Sequence, residues 1–187
     1  MKRRLVTMLL VGMFLVTAHG VCLGDNLLGN GDFEIVGPDM TPDGWSLTPA
    51  RNTDFNTSFD DTDKITGSYS FRINVENSAG RVTLMPEAAN IGIPEPGKTY
   101  ELSFWAKAED LAISAMMVAP VLRLDFRPTR TRPSPMIDLA SETNINQGWE
   151  EVSIQATAPD DAQHIILQLT LTQGTVWLDD FSLRPID

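Results

Sequence analysis

Residues 99–109, TYELSFWAKAE, put Tyr100, Leu102, Phe104 and Ala106 on one side of an extended chain and Glu101, Ser103, Trp105 and Lys107 on the other. This two-residue alternation marks a strand with one face in a core and one in water. The pattern recurs along the chain. SYSFRINVE sets Tyr69, Phe71, Ile73 and Val75 against Ser70, Arg72 and Asn74. VLRLDFR sets Leu122, Leu124 and Phe126 against Arg123 and Asp125. EEVSIQA sets Val152, Ile154 and Ala156 against Ser153 and Gln155, and IILQLTL sets Ile165, Leu167, Leu169 and Leu171 against Gln168 and Thr170. TVWLDDFSL supplies a last strand. The turn signals TPDGW, ITGS, IPEPGK, NQGW, APDDA and TQGT separate these runs. EDLAISAMMVAP reads equally as a helical turn or a strand edge. Some eight or nine short strands and no long amphipathic helix predict an all-β chain folded as a two-sheet antiparallel β-sandwich.

The first 24 residues stand apart. Lys2, Arg3 and Arg4 precede an apolar run from Leu5 to Val16, too short to span a bilayer, and Ala18-His19-Gly20 fits a small-x-small cleavage site. This reads as a signal peptide cut after Gly20 or Gly24, with one domain over 25–187 and a secreted, extracellular or periplasmic location. Lipidation at Cys22 is disfavoured by bulky Val21 just before it. Beyond Cys22 there is no cysteine, so the domain has no internal disulfide and depends on core packing or a metal. The net charge is −11; without the basic tip, 11 basic residues face 25 acidic ones. Such an excess argues against nucleic acid and, once the leader is removed, against a membrane surface as partner.

Catalytic signatures are absent. After the leader the one histidine is His164, placed just before a strand, so thiol proteases and histidine-rich zinc sites are excluded. GxSxG, P-loop and HExxH motifs do not occur. Paired carboxylates of a glycoside hydrolase remain an alternative, because spacing does not show which acids face a cleft. The reading is of a non-catalytic domain.

NLLGNGDFE, DGW at Asp43 to Trp45, TGSYSFRI, GKTYELSFWAKAE, GWEEVSIQATAP and VWLDDFSL follow one another in that order. The set resembles the carbohydrate-binding modules of families 4 and 9, the CenC-like type within the galactose-binding-like superfamily, across about Asn26 to Leu183. The resemblance implies a jelly-roll sandwich that binds a polysaccharide or oligosaccharide and carries a structural calcium joining the first strand to the last. It puts the calcium ligands at the carbonyl of Asp32, the side chain of Glu34, the turn around Thr66 and Tyr69, and Asp179. Calcium takes six to eight oxygens, mixing carboxylates with carbonyls. Thr66 departs from the pattern, where a carboxylate often stands, and Asp61 or Asp63 is the substitute. For the sugar, Trp105 is the expected stacking platform, with Lys107, Arg123, Asp125 and Gln168 as hydrogen-bonding partners in one groove. Arg72 and Asn74 extend it, and Arg127, Arg130 and Arg132 lie in a loop that reaches an acidic sugar. Trp45, Trp149 and Trp177 are expected in the framework. The rival reading is a structural or adhesion module that contacts other secreted or surface proteins.

Overall fold

A computed structural model describes residues 26–77, 79–112, 119–128 and 135–186. The proposed leader, Cys22, Arg130, Arg132 and the centre of EDLAISAMMVAP lie outside them. The described strands are β1 (Trp45–Pro49), β2 (Phe55–Asp60), β3 (Ser70–Val75), β4 (Val82–Pro86), β5 (Thr99–Glu109), β6 (Val121–Arg127), β7 (Met136–Asp138), β8 (Glu150–Thr157), β9 (His164–Leu171) and β10 (Gly174–Pro185). They form two five-stranded sheets. The first runs β1-β4-β9-β6-β7 and the second β2-β3-β10-β5-β8. Every pairing is antiparallel. The only helical pieces among the described residues are three-residue 3-10 turns, and none crosses a membrane.

The alternation sorts side chains as expected. Phe71, Ile73 and Val75 of β3, Leu102, Phe104 and Ala106 of β5, Leu122, Leu124 and Phe126 of β6, and Leu167, Leu169 and Leu171 of β9 are all buried. They fill the space between the sheets, which pack about 10 Å apart. The centre is aromatic. Phe104 and Phe181 stack at 4.3 Å, and Phe33 lies 5.1 Å from Trp45 and 5.4 Å from Phe181. Trp45 is therefore core, as expected of the framework.

The segment Asn26 to Glu34, whose leucines and Phe33 read as strand residues, is not a strand. It makes one isolated bridge, Leu28 to Ile91, then turns over residues 29–32. Phe33 adopts a left-handed conformation (φ +56°) and is fully buried. Tertiary packing wins here: the aromatic cluster holds the ring, and the backbone bends to deliver it. The segment is lashed to β10 by hydrogen bonds. Leu27 N donates to Leu183 O at 2.9 Å, Phe181 N to Gly31 O at 2.7 Å, and the Asn26 amide bridges Phe181 O and Leu183 N at 2.9 Å each. A Cβ on Gly31 would stand 2.1 Å from Phe181 O, so this approach requires glycine.

β10 itself carries an irregularity. Its register with β5 shifts between Asp179 and Ser182, and Asp180 takes φ +52°. The extra residue of such a bulge re-aims its neighbours. Asp179 ends up on the outer side of the second sheet, and Phe181 turns into the core.

Candidate functional site

The five residues expected to form one sugar groove do not meet. Trp105 and Lys107 project from β5, outward from the second sheet, whereas Arg123 and Asp125 of β6 and Gln168 of β9 project outward from the first. The core separates the two groups. Alternation assigns each residue to the polar side of its strand, but it carries nothing about which sheet the strand joins.

On the second sheet, Lys107 is already engaged. Its ammonium pairs with Asp63 and sits 4.9 Å from the centre of the Trp177 ring, with the Arg72 guanidinium 5.4 Å from the same ring. The Trp149 indole N–H donates to Asp63 at 2.7 Å, and the Trp177 N–H to Asp60 at 2.9 Å. The Asp60 carboxylate also caps its own turn through the Thr62 N–H and hydroxyl. Asp60 is held well below the usual carboxylate range, by the Thr62 hydroxyl first and the Trp177 N–H next. The Lys107 hydrogen bond lowers Asp63, and Asp63 in turn raises Lys107. These groups satisfy one another. Together they pin the segment that follows β2 onto the sheet beside Trp105, which is half-buried. Asp63 is thereby taken up and is not spare as a metal ligand.

The pinned segment ends in a turn that receives two carboxylates from distant parts of the chain. Glu34 Oε1 accepts from Ser68 N at 2.8 Å and Tyr69 N at 3.0 Å. Asp179 Oδ2 accepts from Ile65 N at 2.8 Å and Thr66 N at 2.9 Å. Gly67 turns the chain between them with φ +56°, where a Cβ would stand 2.2 Å from Glu34 Oε1. Four of the five expected calcium ligands, Glu34, Thr66, Tyr69 and Asp179, therefore converge. Asp32, expected through its backbone carbonyl, stands in the turn just before Phe33 and Glu34 with its side chain exposed.

These residues fit a calcium ion. Asp179 is fully buried, and that burial pushes its carboxyl above its ordinary value despite the amide donors. The Thr66 hydroxyl stands 3.4 Å from its Oδ1 and the Asp180 N–H also donates to this carboxylate, while the Ser68 side chain adds to the two amides on Glu34. Burial opposes the ionisation of Glu34, but the Tyr69 and Ser68 amides outweigh it and lower the pKa. Among the described residues no three His, Cys, Asp or Glu side chains cluster. A pair of carboxylates with carbonyls and water suits calcium and not the nitrogen- and sulfur-rich shell of zinc.

The outer face of the first sheet is polar along its middle. The fully buried Asp125 accepts from Arg123 Nη2 at 2.6 Å, Arg127 Nη1 at 3.0 Å and Phe126 N at 2.9 Å. Gln168 stands opposite Arg123 in register, and its amide contacts Met85 Sδ at 3.3 Å. The Thr83 and Thr170 hydroxyls meet at 3.3 Å, and Ser46 Oγ donates to Met85 O. The outward positions described on this face hold no Phe, Tyr or Trp. Arg127, expected in a loop, belongs to β6 and faces His164 across the strand pair. It is the last residue of the alternating run VLRLDFR and the first cation before the Pro- and Arg-rich run.

An acidic hollow of about 170 Å³ at the β7–β8 edge includes Glu142, Glu150 and Glu151. Glu142 accepts from Asp138 N at 3.1 Å and Glu150 from Asn144 N. Two of its three carboxylates thus close backbone turns.

No protein-family model and no curated protein matches the chain. Solved structures do. The xylan-binding family 22 domain of Paenibacillus barcinonensis Xyn10C superposes with a TM-score of 0.54 at 16% identity, over 88% of this chain and 97% of that one. The chain has the fold of the carbohydrate-binding modules. The family 61 module TmCBM61, solved with β-1,4-galactotriose, gives 0.53 at 16% identity, covering 85% and 97%. The enzymatically active domain of bacteriophage CBA120 tailspike protein 4 gives 0.62 at 17% identity, over 86% of this chain; the chain spans 21% of that protein. This module fold is the two-sheet antiparallel sandwich that the resemblance to families 4 and 9 implies.

Proposed function

We propose that this protein is a secreted, non-catalytic carbohydrate-binding module that holds a polysaccharide or oligosaccharide on the outer face of its first sheet. The observation that supports this most is the near-complete coverage of two solved modules: a xylan-binding domain in one neighbour, a module in complex with a galactotriose in another. The face offers a row of hydrogen-bonding groups, Arg123, Gln168, Thr83 and Thr170, on the three central strands of the sheet. Sugar hydroxyls are met by such groups without rearrangement of the backbone. Trp105 and Lys107 belong instead to the side that pins the acidic turn.

A structural calcium completes the reading. Glu34 and Asp179, with backbone oxygens of Asp32, Thr66 and Tyr69, are the residues that would hold it. The ion supplies positive charge to a buried carboxylate and cross-links the N-terminal segment, the turn and β10, in a domain without disulfides.

Affinity electrophoresis of the mature protein in calcium, against gels of xylan, β-glucan, galactan and other soluble polysaccharides, tests the function. Retardation on at least one gel is expected. A second reading, a structural or adhesion module, is favoured by the lack of an aromatic platform on the described face. A folded protein that runs freely in every gel and binds another surface protein would establish it.

A further inference from the structure

The first sheet ends, where β6 finishes and β9 begins, in an open cavity of about 380 Å³. Its walls include Pro86, Ile91, Ile93 and Ile166, with Arg127 and His164. The size is at the lower end of ligand pockets, about 300–1,000 Å³. Ile93 is 79% exposed at its edge, an unusual position for a large aliphatic side chain with nothing to cover it.

Arg127 is held and only partly used. Its Nη1 is occupied by Asp125 Oδ2 and by Phe126 O, each at 3.0 Å. Its backbone is fixed in turn by Gln163 N, which donates to Arg127 O at 2.7 Å. Nε and Nη2 have no partner among the described residues, and neither is a buried orphan. Those two N–H groups share one edge of the guanidinium and form the parallel fork that matches a carboxylate. The charges agree: two arginines share the single carboxylate of Asp125, leaving a local positive excess on a protein whose net charge is −11.

We propose that this cavity is a subsite for a uronic acid residue, resting on the carbohydrate-binding reading above. The sugar's apolar C–H face lies against Ile91, Ile93 and Ile166, and its carboxylate takes the free edge of Arg127. His164, directly opposite Arg127 in register, flanks the carboxylate. The ligand class of the module is then an acidic polysaccharide. The acidic remainder of the surface keeps such a polymer from settling elsewhere.

Isothermal titration of the mature protein with trigalacturonate and with its carboxyl-reduced neutral counterpart tests this; short oligomers avoid gelling in calcium. The charged trisaccharide should bind at least tenfold tighter. Arg127→Lys keeps the charge and removes the fork, and should cut the preference for trigalacturonate over the neutral sugar roughly tenfold. Ile93→Asp alters only an exposed position, so the fold is not at risk, and should abolish the preference by repulsion. Equal binding of the two trisaccharides, or an unchanged preference in Ile93→Asp, overturns the uronate subsite and leaves the carbohydrate-binding reading standing. Tighter binding of a sulfated neutral sugar overturns the carboxylate fork. Failure of every polysaccharide and both trisaccharides overturns the general reading and this one with it.

Discussion

Asp179→Ala separates a calcium clip from a merely well-bonded turn. In the protein without metal, the substitution has two opposed effects. It removes the acceptor of two backbone amides, Ile65 N and Thr66 N. Hydrogen bonds to a charged group contribute about 1.5–3 kcal/mol each. It also removes a carboxylate whose full burial raises its pKa, and burying an ion costs several kcal/mol. The two effects are of similar size, so the variant should lie within about 2 kcal/mol of the parent in chelator. Calcium changes the comparison. An ion that binds only the folded state stabilises by RT ln(1 + [L]/Kd), about 2.7 kcal/mol at 100 times Kd. For a domain of this size each kcal/mol moves Tm by about 2–4 °C. Thermal unfolding followed by circular dichroism should therefore show the parent gaining roughly 5–10 °C from EDTA to saturating calcium. Asp179→Ala should gain nothing. An equal gain in both proteins would refute the assignment of Asp179, and a parent with no gain would refute the calcium site altogether.

Three further outcomes follow from the packing. Trp105→Ala should leave polysaccharide binding within about twofold in affinity gels, since its face is the one occupied by the pinned turn; loss of binding would return the ligand to the second sheet. Phe33→Ala should cost about 3–5 kcal/mol and lower Tm by roughly 10 °C or more, because the ring is fully buried among Trp45, Phe71 and Phe181; a loss under about 1 kcal/mol in denaturant titration would contradict the aromatic core. Asp63 has a lowered folded-state pKa, so its contribution is present above its unfolded value near 3.8 and is lost as pH falls through the folded one. The Tm difference between the parent and Asp63→Asn should accordingly shrink as pH drops from about 6 toward 2, and a difference constant with pH would contradict the Lys107–Asp63 pairing.

Much of this architecture was legible in the sequence. β5 and β6 coincide with the alternating runs 99–109 and 121–127, and the inward sets of β3, β8 and β9 are as written in their side chains. The shorter β1, β2, β4 and β7 carry too little alternation to stand out, so eight or nine strands were expected where ten are described. Sheet membership is a long-range property and no local pattern encodes it. The polar sides of β5 and β9 therefore read as one groove from the sequence, with Trp105 beside Gln168. Ladder register separates them: Trp105 pairs with Asp179 and Glu151, and Gln168 with Arg123. The acidic turn was legible only through resemblance. Glu34 and Asp179 are 145 positions apart, and what joins them is four backbone amides of residues 65–69, which sequence spacing does not display. The Asp63–Lys107–Trp149 lock could have been suspected from a DDTD run next to strand tryptophans, but an acid run by itself reads as solvated surface.

The central claim is that a glycan lies on the first sheet. Amide and side-chain NMR shifts of the mature protein, recorded while titrating an oligosaccharide of whichever polysaccharide retards it, test that most directly. The largest shifts should cluster at Thr83, Arg123, Gln168 and Thr170, with the Trp105 indole and the 61–69 turn unmoved. Shifts centred on Trp105, Trp149 and the turn, or no shifts with any oligosaccharide, would contradict it.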